Sequence, residues 1–221
     1  FYPLIGPYAS NDPDVIEYHL LLMKAAGIDG IIVDWYGVQG TNGDIGGLLR
    51  NSNAIANKVY TYGLDFAVML EDRFSSNIGD AVANVAYCRD NYFHLPSYAR
   101  DDQTNEPWFF NFGPITFENP SAWSQILSAA GEPVQFLPLQ YQSNEVGNNG
   151  DGEFYWPTEN EALDNHLSLL NGFYNNRAPS LNRAVGAVYP RFIDFYEEGG
   201  VGDIIGFEIP YEAGGTVGDT I

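Results

Sequence analysis

Two acidic residues, Asp34 and Glu71, each come directly after a short apolar run in the chain. The runs are residues 31–33 (Ile-Ile-Val) and 66–70 (Phe-Ala-Val-Met-Leu), and such runs are typical of buried parallel strands. Parallel strands of a barrel end at one common rim, where the chemistry of barrel enzymes is found. Glycoside hydrolysis uses two carboxyl groups, about 5–5.5 Å apart for retention and ~6.5–9.5 Å for inversion. Asp34 and Glu71 are therefore the candidate catalytic pair, and the sequence leaves their spacing open.

Aromatic and polar side chains near strand ends could hold a sugar. An aromatic ring can lie on the C–H face of a pyranose, and tryptophan and tyrosine add a polar edge. The candidate substrate-binding residues are Trp35, Tyr36, Asp72, Arg73, Trp108, Gln140 and Trp156. Structural roles are the alternatives for these residues. Tryptophans in strands often belong to the core. Asp34 could cap a helix, and Arg73 could form a structural salt bridge with a neighbouring acid.

Other catalytic classes have less support in the residues. Asp34, Glu71 and Asp72 could together offer oxygen ligands to a divalent metal, which is an alternative to the sugar site. The three histidines have no zinc-ligand spacing, and the single cysteine, Cys88, excludes an intramolecular disulfide. The chain has neither a G-x-S-x-G elbow nor a phosphate-binding loop. No metal and no cofactor are expected.

The composition limits the class of partner. The 221 residues include 29 acidic and 9 basic side chains, for a net charge of −20. Nucleic acids and anionic membrane surfaces bind basic patches, so neither is an expected partner. No apolar run reaches the length of a membrane span, and membrane insertion is not expected. The hydrophobic content of 45% predicts a folded chain.

Helix and strand patterns alternate along the chain. Asp12 and Pro13 predict a helix start, and Gly27 predicts its end. Further helices are predicted over 45–62, 78–91, 120–130 and 158–175, with a short helical turn over 192–198. Further strands are predicted over 107–113, 134–140, 153–156 and 183–189, and a loop over 142–152. This order predicts an α/β domain with a parallel sheet.

About six strand–helix units are visible, whereas a closed barrel needs eight. We therefore expect a (β/α)8 TIM barrel that is incomplete, with its first and last strands outside this chain, as a single domain over 1–221. A doubly wound open sheet is the alternative, although no G-x-G-x-x-G fingerprint follows an early strand.

The order of several motifs resembles the glycoside hydrolase family 71 and 99-like proteins. The motifs are Tyr-Pro-Leu-Ile-Gly-Pro-Tyr at 2–8, Asp-Pro-Asp-Val-Ile at 12–16, Leu-Leu-Leu-Met-Lys at 20–24, Ala-Gly-Ile-Asp-Gly at 26–30, Val-Asp-Trp-Tyr-Gly at 33–37, Glu-Asp at 71–72, and Arg-Phe at 191–192 followed by 194–201. The resemblance is dense over the first 73 residues and looser from about residue 90.

The resemblance implies a barrel enzyme that cleaves within α-linked mannans or glucans, of endo-α-mannosidase or α-glucanase type. It also implies an oligo- or polysaccharide substrate and a secreted or periplasmic location, and we expect a monomer. Its main acid and base carboxylates stand in a segment like Trp-Asn-Asp-Tyr-Gly-Glu-Gly-Thr, to which residues 207–216 have only a passing similarity. We therefore expect that pair beyond Ile221, an internal fragment that is inactive alone, and a substrate-binding or supporting role for Asp34 and Glu71. A non-catalytic carbohydrate-binding protein on the same barrel is the alternative.

Overall fold

The structure is a computed structural model that describes residues 3–157, 167–193, 208–210 and 212–220. Helices and strands alternate through most of this range. The helices are α1 (Pro13–Ala25), α2 (Ile45–Val59), α3 (Ile78–Asn91), α4 (Pro120–Leu127), α5 (Ser143–Val146), α6 (residues 167–172) and α7 (Gly215–Thr220). The strands are β1 (Gly30–Trp35), β2 (Asp65–Leu70), β3 (Trp108–Asn111), β4 (Gln135–Pro138), β5 (Gly152–Phe154), β6 (Arg183–Val185), β7 (Phe192–Ile193) and β8 (Glu208–Ile209).

The first four strands form one parallel sheet in the order β1-β2-β3-β4. β5 and β6 form a second parallel pair, and a bridge between Leu139 and Phe154 connects β4 to β5. Strands β7 and β8 pair antiparallel. The predicted α/β class with a parallel sheet is confirmed, whereas the described strands form an open arc and not a closed barrel.

The two faces of the sheet differ in their covering. One face packs against the helices and forms the main core with residues such as Phe66, Val68, Phe109 and Phe136, which have no exposed surface. The opposite face is the inner side of the arc. A cavity of about 290 Å³ lies there, lined by Ile32, Ala67, Trp108, Phe110 and Val185 among others.

Local signals explain where the early elements begin and end. The Asp12 side chain accepts from the amides of Asp14 and Val15, which caps α1. After β1, Gly37 has a φ of +91°, and a Cβ there would clash with the Asn84 side chain. Asn84 Oδ1 accepts from the amides of Val38 and Gln39 at 2.7 and 3.0 Å. This close approach fixes the turn that follows Asp34.

Three secondary-structure predictions differ from the structure or extend beyond the residues that it describes. Of the helical turn predicted over 192–198, residues 194–198 lie outside the described residues, and residues 192–193 form a strand that pairs with Glu208–Ile209. The predicted loop over 142–152 contains the short helix α5. The helix predicted over 158–175 is described only from residue 167, and its last part is a π-helical turn over Phe173–Arg177.

Candidate active site

The carboxyl groups of Asp34 and Glu71 are hydrogen-bonded to each other at the carboxyl ends of β1 and β2. The strand register places Asp34 beside Met69, and the Glu71 amide continues the ladder by donating to the Trp35 carbonyl at 3.0 Å. Side chains alternate along a strand, so Asp34, Met69 and Glu71 share the inner face. The structure therefore brings the two predicted carboxyl groups together on one rim.

Burial raises the pKa of both groups, and the charge of Asp34 raises the pKa of Glu71 further. Partial burial raises the pKa of Asp34 above its usual value, and hydrogen bonds from Glu71 and from the Trp35 amide offset only part of that rise. The pKa of Glu71 rises to about 7, first because the group is buried and next because it faces the Asp34 charge. The Glu71 side chain is only 12% exposed. The two carboxyl groups therefore do not both ionise until the pH rises through about 7.

Arg73 limits this rise in pKa. Its Nε lies 3.5 Å from Glu71 Oε2, and its side chain is about half exposed. The positive charge lowers the pKa of both acids, but by less than burial raises it. Arg73 therefore stands where it can stabilise negative charge on the pair.

The contact between Asp34 and Glu71 is closer than either spacing of a pair that flanks a glycosidic bond. A direct hydrogen bond brings two oxygens to within about 3 Å, whereas flanking carboxyl groups stand at least ~5 Å apart. The two residues are thus a hydrogen-bonded pair, the Asp34–Glu71 dyad, at a single place on the rim. It can exchange a proton with a sugar oxygen and accept hydrogen bonds from hydroxyl groups.

Three predicted sugar-binding residues lie on the rim or inner face and keep exposed surface. Tyr36 is half-buried, at the position beside Glu71, with its ring 4.1 Å from the Phe74 ring. Trp156 follows β5, is 40% exposed and meets Phe112 edge-on at 5.4 Å. Trp108 starts β3 and stacks on Phe110 at 5.9 Å, so it lines the cavity below the rim.

The prediction of a sugar-binding role for Trp35 is wrong. The ring has no exposed surface and packs between α3 and the sheet, 6.0 Å from each of Tyr87 and Tyr92. Alternation explains this placement, because Trp35 directly follows Asp34 and so faces the helices. A ring without an open face cannot stack on a sugar.

The role predicted for Asp72 needs the same correction. Its buried carboxylate accepts from the amides of Ile115, Thr116 and Phe117 at 2.8 to 3.2 Å. It points away from Asp34 and Glu71, which also removes the metal alternative built on these three acids. In the described part of the chain, no group of three or more potential ligand side chains could hold a metal.

Gln140 is also structural and does not bind substrate as predicted. It is 6% exposed, and both ends of its amide bond the Trp156 backbone. Nε2 donates to the Trp156 carbonyl at 2.6 Å, and Oε1 accepts from the Trp156 amide at 2.8 Å. The side chain thereby extends the β4–β5 pairing and holds Trp156 in place.

Comparison with known proteins shows the family to which this chain belongs. The model of glycosyl hydrolase family 99 matches residues 1–174, and the chain belongs to this family. The glycoprotein endo-α-1,2-mannosidase of Xenopus laevis is 29% identical over 136 residues, and that of Rattus norvegicus is 28% identical. These matches cover 59% of this chain but only 30% and 29% of the two relatives' own lengths.

Solved structures share the fold. The GH99 endo-α-mannosidase from Bacteroides thetaiotaomicron, in complex with Bis-Tris-propane, has a TM-score of 0.75 at 20% identity. The match covers 100% of this chain and 68% of that one. A glycoside hydrolase-like protein matches with a TM-score of 0.64 at 13% identity, over 99% of this chain and 74% of that one. Among the described residues, no helix has the length and apolarity that a membrane span needs.

Proposed function

We propose that this protein takes part in the hydrolysis of α-mannosidic bonds within a glycan, with the Asp34–Glu71 dyad contacting the sugar. Membership of glycosyl hydrolase family 99 supports the reaction class. The endo-α-1,2-mannosidase names of the relatives support mannose as the sugar. We also propose that the whole protein forms a complete (β/α)8 barrel, of which the described strands are one part.

The observation that carries the proposal is the contact between the Asp34 and Glu71 carboxyl groups on the inner rim. A pKa of about 7 for Glu71 suits a group that must both give and take a proton near neutral pH. In the proposed complex, Glu71 donates to a sugar oxygen while the ionised Asp34 accepts from a neighbouring hydroxyl. Arg73, 3.5 Å from Glu71, stabilises the negative charge that remains after proton transfer.

The close contact within the dyad also limits its role. A glycosidase needs carboxyl groups on both sides of the scissile bond, and Asp34 and Glu71 stand on one side. We propose that the flanking carboxyl group comes from residues other than those described. A protein without it would bind the glycan and leave it intact, so a carbohydrate-binding protein on the same scaffold is the second candidate.

Hydrolysis assays on the intact protein test the proposal. An α-1,2-linked manno-oligosaccharide should yield new reducing ends, and an α-1,4-linked gluco-oligosaccharide should yield far fewer. Asp34→Asn and Glu71→Gln should each lower kcat/KM for the mannan substrate by at least 100-fold, since each removes one carboxyl group of the dyad. Wild-type binding without new reducing ends favours the second candidate. Full activity in both variants contradicts any role for the dyad.

A further inference from the structure

Tyr141 has an unusual backbone conformation and an exposed ring. It lies at the carboxyl end of β4 with a φ of +64°, and 56% of its surface is exposed. A bulky residue in this left-handed region is uncommon and costs conformational energy, which the surrounding structure must offset. An exposed ring adds little to the core in return. This combination suggests that the ring serves a purpose other than stability.

A buried ion pair holds Tyr141 in this conformation. Glu153 has no exposed surface, and its carboxylate accepts from the Tyr141 amide at 2.9 Å and the Ser143 amide at 3.1 Å. Arg177 Nε donates to the same carboxylate at 2.8 Å, and Arg177 Nη2 donates to Ser143 Oγ at 2.6 Å. Burial raises the pKa of Glu153, but Arg177 and the backbone amides outweigh that effect and hold it below its usual value.

The same ion pair positions the ring of Tyr141. The Arg177 guanidinium carbon lies 5.8 Å from the ring centroid, within the range of a cation–π contact. Arg177 comes from a π-helical turn, a local irregularity that often occurs at functional sites. The ring is therefore fixed on the protein side while more than half of the side chain stays open to solvent.

Trp156 is the neighbouring exposed aromatic residue on this rim. Gln140, which precedes Tyr141, bonds the Trp156 backbone through both ends of its amide. The two aromatic residues thus follow adjacent strands, β4 and β5, at the end of the sheet where Asp34 and Glu71 follow β1 and β2. At ~4.8 Å per strand interval, they stand about 10–15 Å from Glu71 along the rim.

We infer that Tyr141 and Trp156 form an aromatic platform that binds a different sugar residue of the glycan from the one at the Asp34–Glu71 dyad. The inference rests on the proposed function and adds Tyr141 as a residue that selects longer oligosaccharides. This backbone separation from Glu71 is larger than one pyranose ring, so we expect the platform to contact a different sugar residue from the dyad. Two fixed rings on one rim offer faces on which the C–H surface of a sugar can pack.

Calorimetric titration of the intact protein with α-1,2-linked mannotetraose tests the platform. Tyr141→Gly removes the ring at a position whose φ glycine adopts without strain, and Tyr141→Asn is a second variant compatible with this conformation. Each should weaken binding at least tenfold, and KM should rise similarly while kcat stays within twofold. Tyr141→Phe keeps the ring and should bind within twofold of wild type. The melting temperature of Tyr141→Gly should be equal to or higher than that of wild type.

Two matched controls separate a platform from general effects. Tyr60→Ala removes a ring that is at least as exposed, and Asn105→Gly changes another residue with a positive φ, at 60°. Both should bind like wild type. Binding within twofold of wild type in Tyr141→Gly and Tyr141→Asn would overturn the platform while leaving the proposed function intact. If wild type binds no manno-oligosaccharide at all, the proposed function fails and the platform with it.

Discussion

Glu71 and Asp72 are neighbours in the chain, yet their carboxyl groups serve opposite faces of the sheet. Glu71 meets Asp34 on the inner face. Asp72 is buried on the other side, where three consecutive backbone amides, from Ile115 to Phe117, donate to it. One acid therefore stands at the proposed sugar site, and the next anchors the loop that follows β3.

Asp72→Asn should destabilise the fold. An asparagine offers one acceptor oxygen in place of two, and its amide group would face backbone donors. We expect the free energy of unfolding to fall by about 2–4 kcal/mol, because charge-assisted bonds are lost and buried donors are left unpaired. Urea unfolding measures this change. Asp102→Asn, at an exposed position, is the matched control and should change little. An Asp72→Asn variant as stable as wild type would show that the carboxylate is not an anchor.

Glu71→Gln should change how stability depends on pH. The folded pKa of Glu71, about 7, lies above its ordinary value of 4.5, so its contribution to stability is complete below pH 4.5 and is lost as the pH rises through 7. The glutamine variant cannot ionise. It should therefore be more stable than wild type by about 2–3 kcal/mol at pH 8 and show no such gain near pH 4.5.

Chemical unfolding at both pH values measures this difference. Glu118→Gln, which changes an exposed glutamate, should follow the wild-type pH dependence. An equal effect of Glu71→Gln at pH 4.5 and pH 8 would show that the pKa of Glu71 is ordinary.

Glycan binding should change the fluorescence emission of Trp156 and leave that of Trp35 unchanged. Trp156 is 40% exposed on the rim, whereas Trp35 is completely buried behind the sheet. An α-1,2-linked manno-oligosaccharide should change the emission of wild type and of Trp35→Phe, and Trp156→Phe should lose most of the change. The Trp35→Phe variant should still fold, since it also removes a buried Nε1 that has no partner among the described residues. A full signal in Trp156→Phe would place the glycan elsewhere.

The strand ends could be predicted from local patterns alone. The apolar runs before Asp34 and Glu71 indicate buried parallel strands, and parallel strands necessarily bring their ends to one rim. The burial of Trp35 was also accessible to the alternation rule, because neighbours along a strand face opposite sides. The sugar-binding role expected for Trp35 rested on the attraction between aromatic rings and sugars, which strand alternation overrides at this position.

Other features depend on contacts that no local pattern encodes. Glu153 and Arg177 are 24 positions apart, and their ion pair depends on how β5 and a π-helical turn pack together. The positive φ of Tyr141 has no marker in the sequence, since glycine or asparagine is the usual residue there. The closeness of Asp34 and Glu71 likewise depends on the strand register, which sets whether two carboxyl groups touch or flank a ligand.

A carboxyl titration by NMR tests the central claim, that the contact with Asp34 raises the pKa of Glu71 at the sugar site. We expect the carboxyl carbon of Glu71 to titrate near pH 7 in wild type and at a clearly lower pH in Asp34→Asn, which removes the facing charge. Saturating α-1,2-linked manno-oligosaccharide should shift the wild-type titration. A Glu71 that titrates near 4.5, unchanged by Asp34→Asn and by the glycan, would contradict the claim.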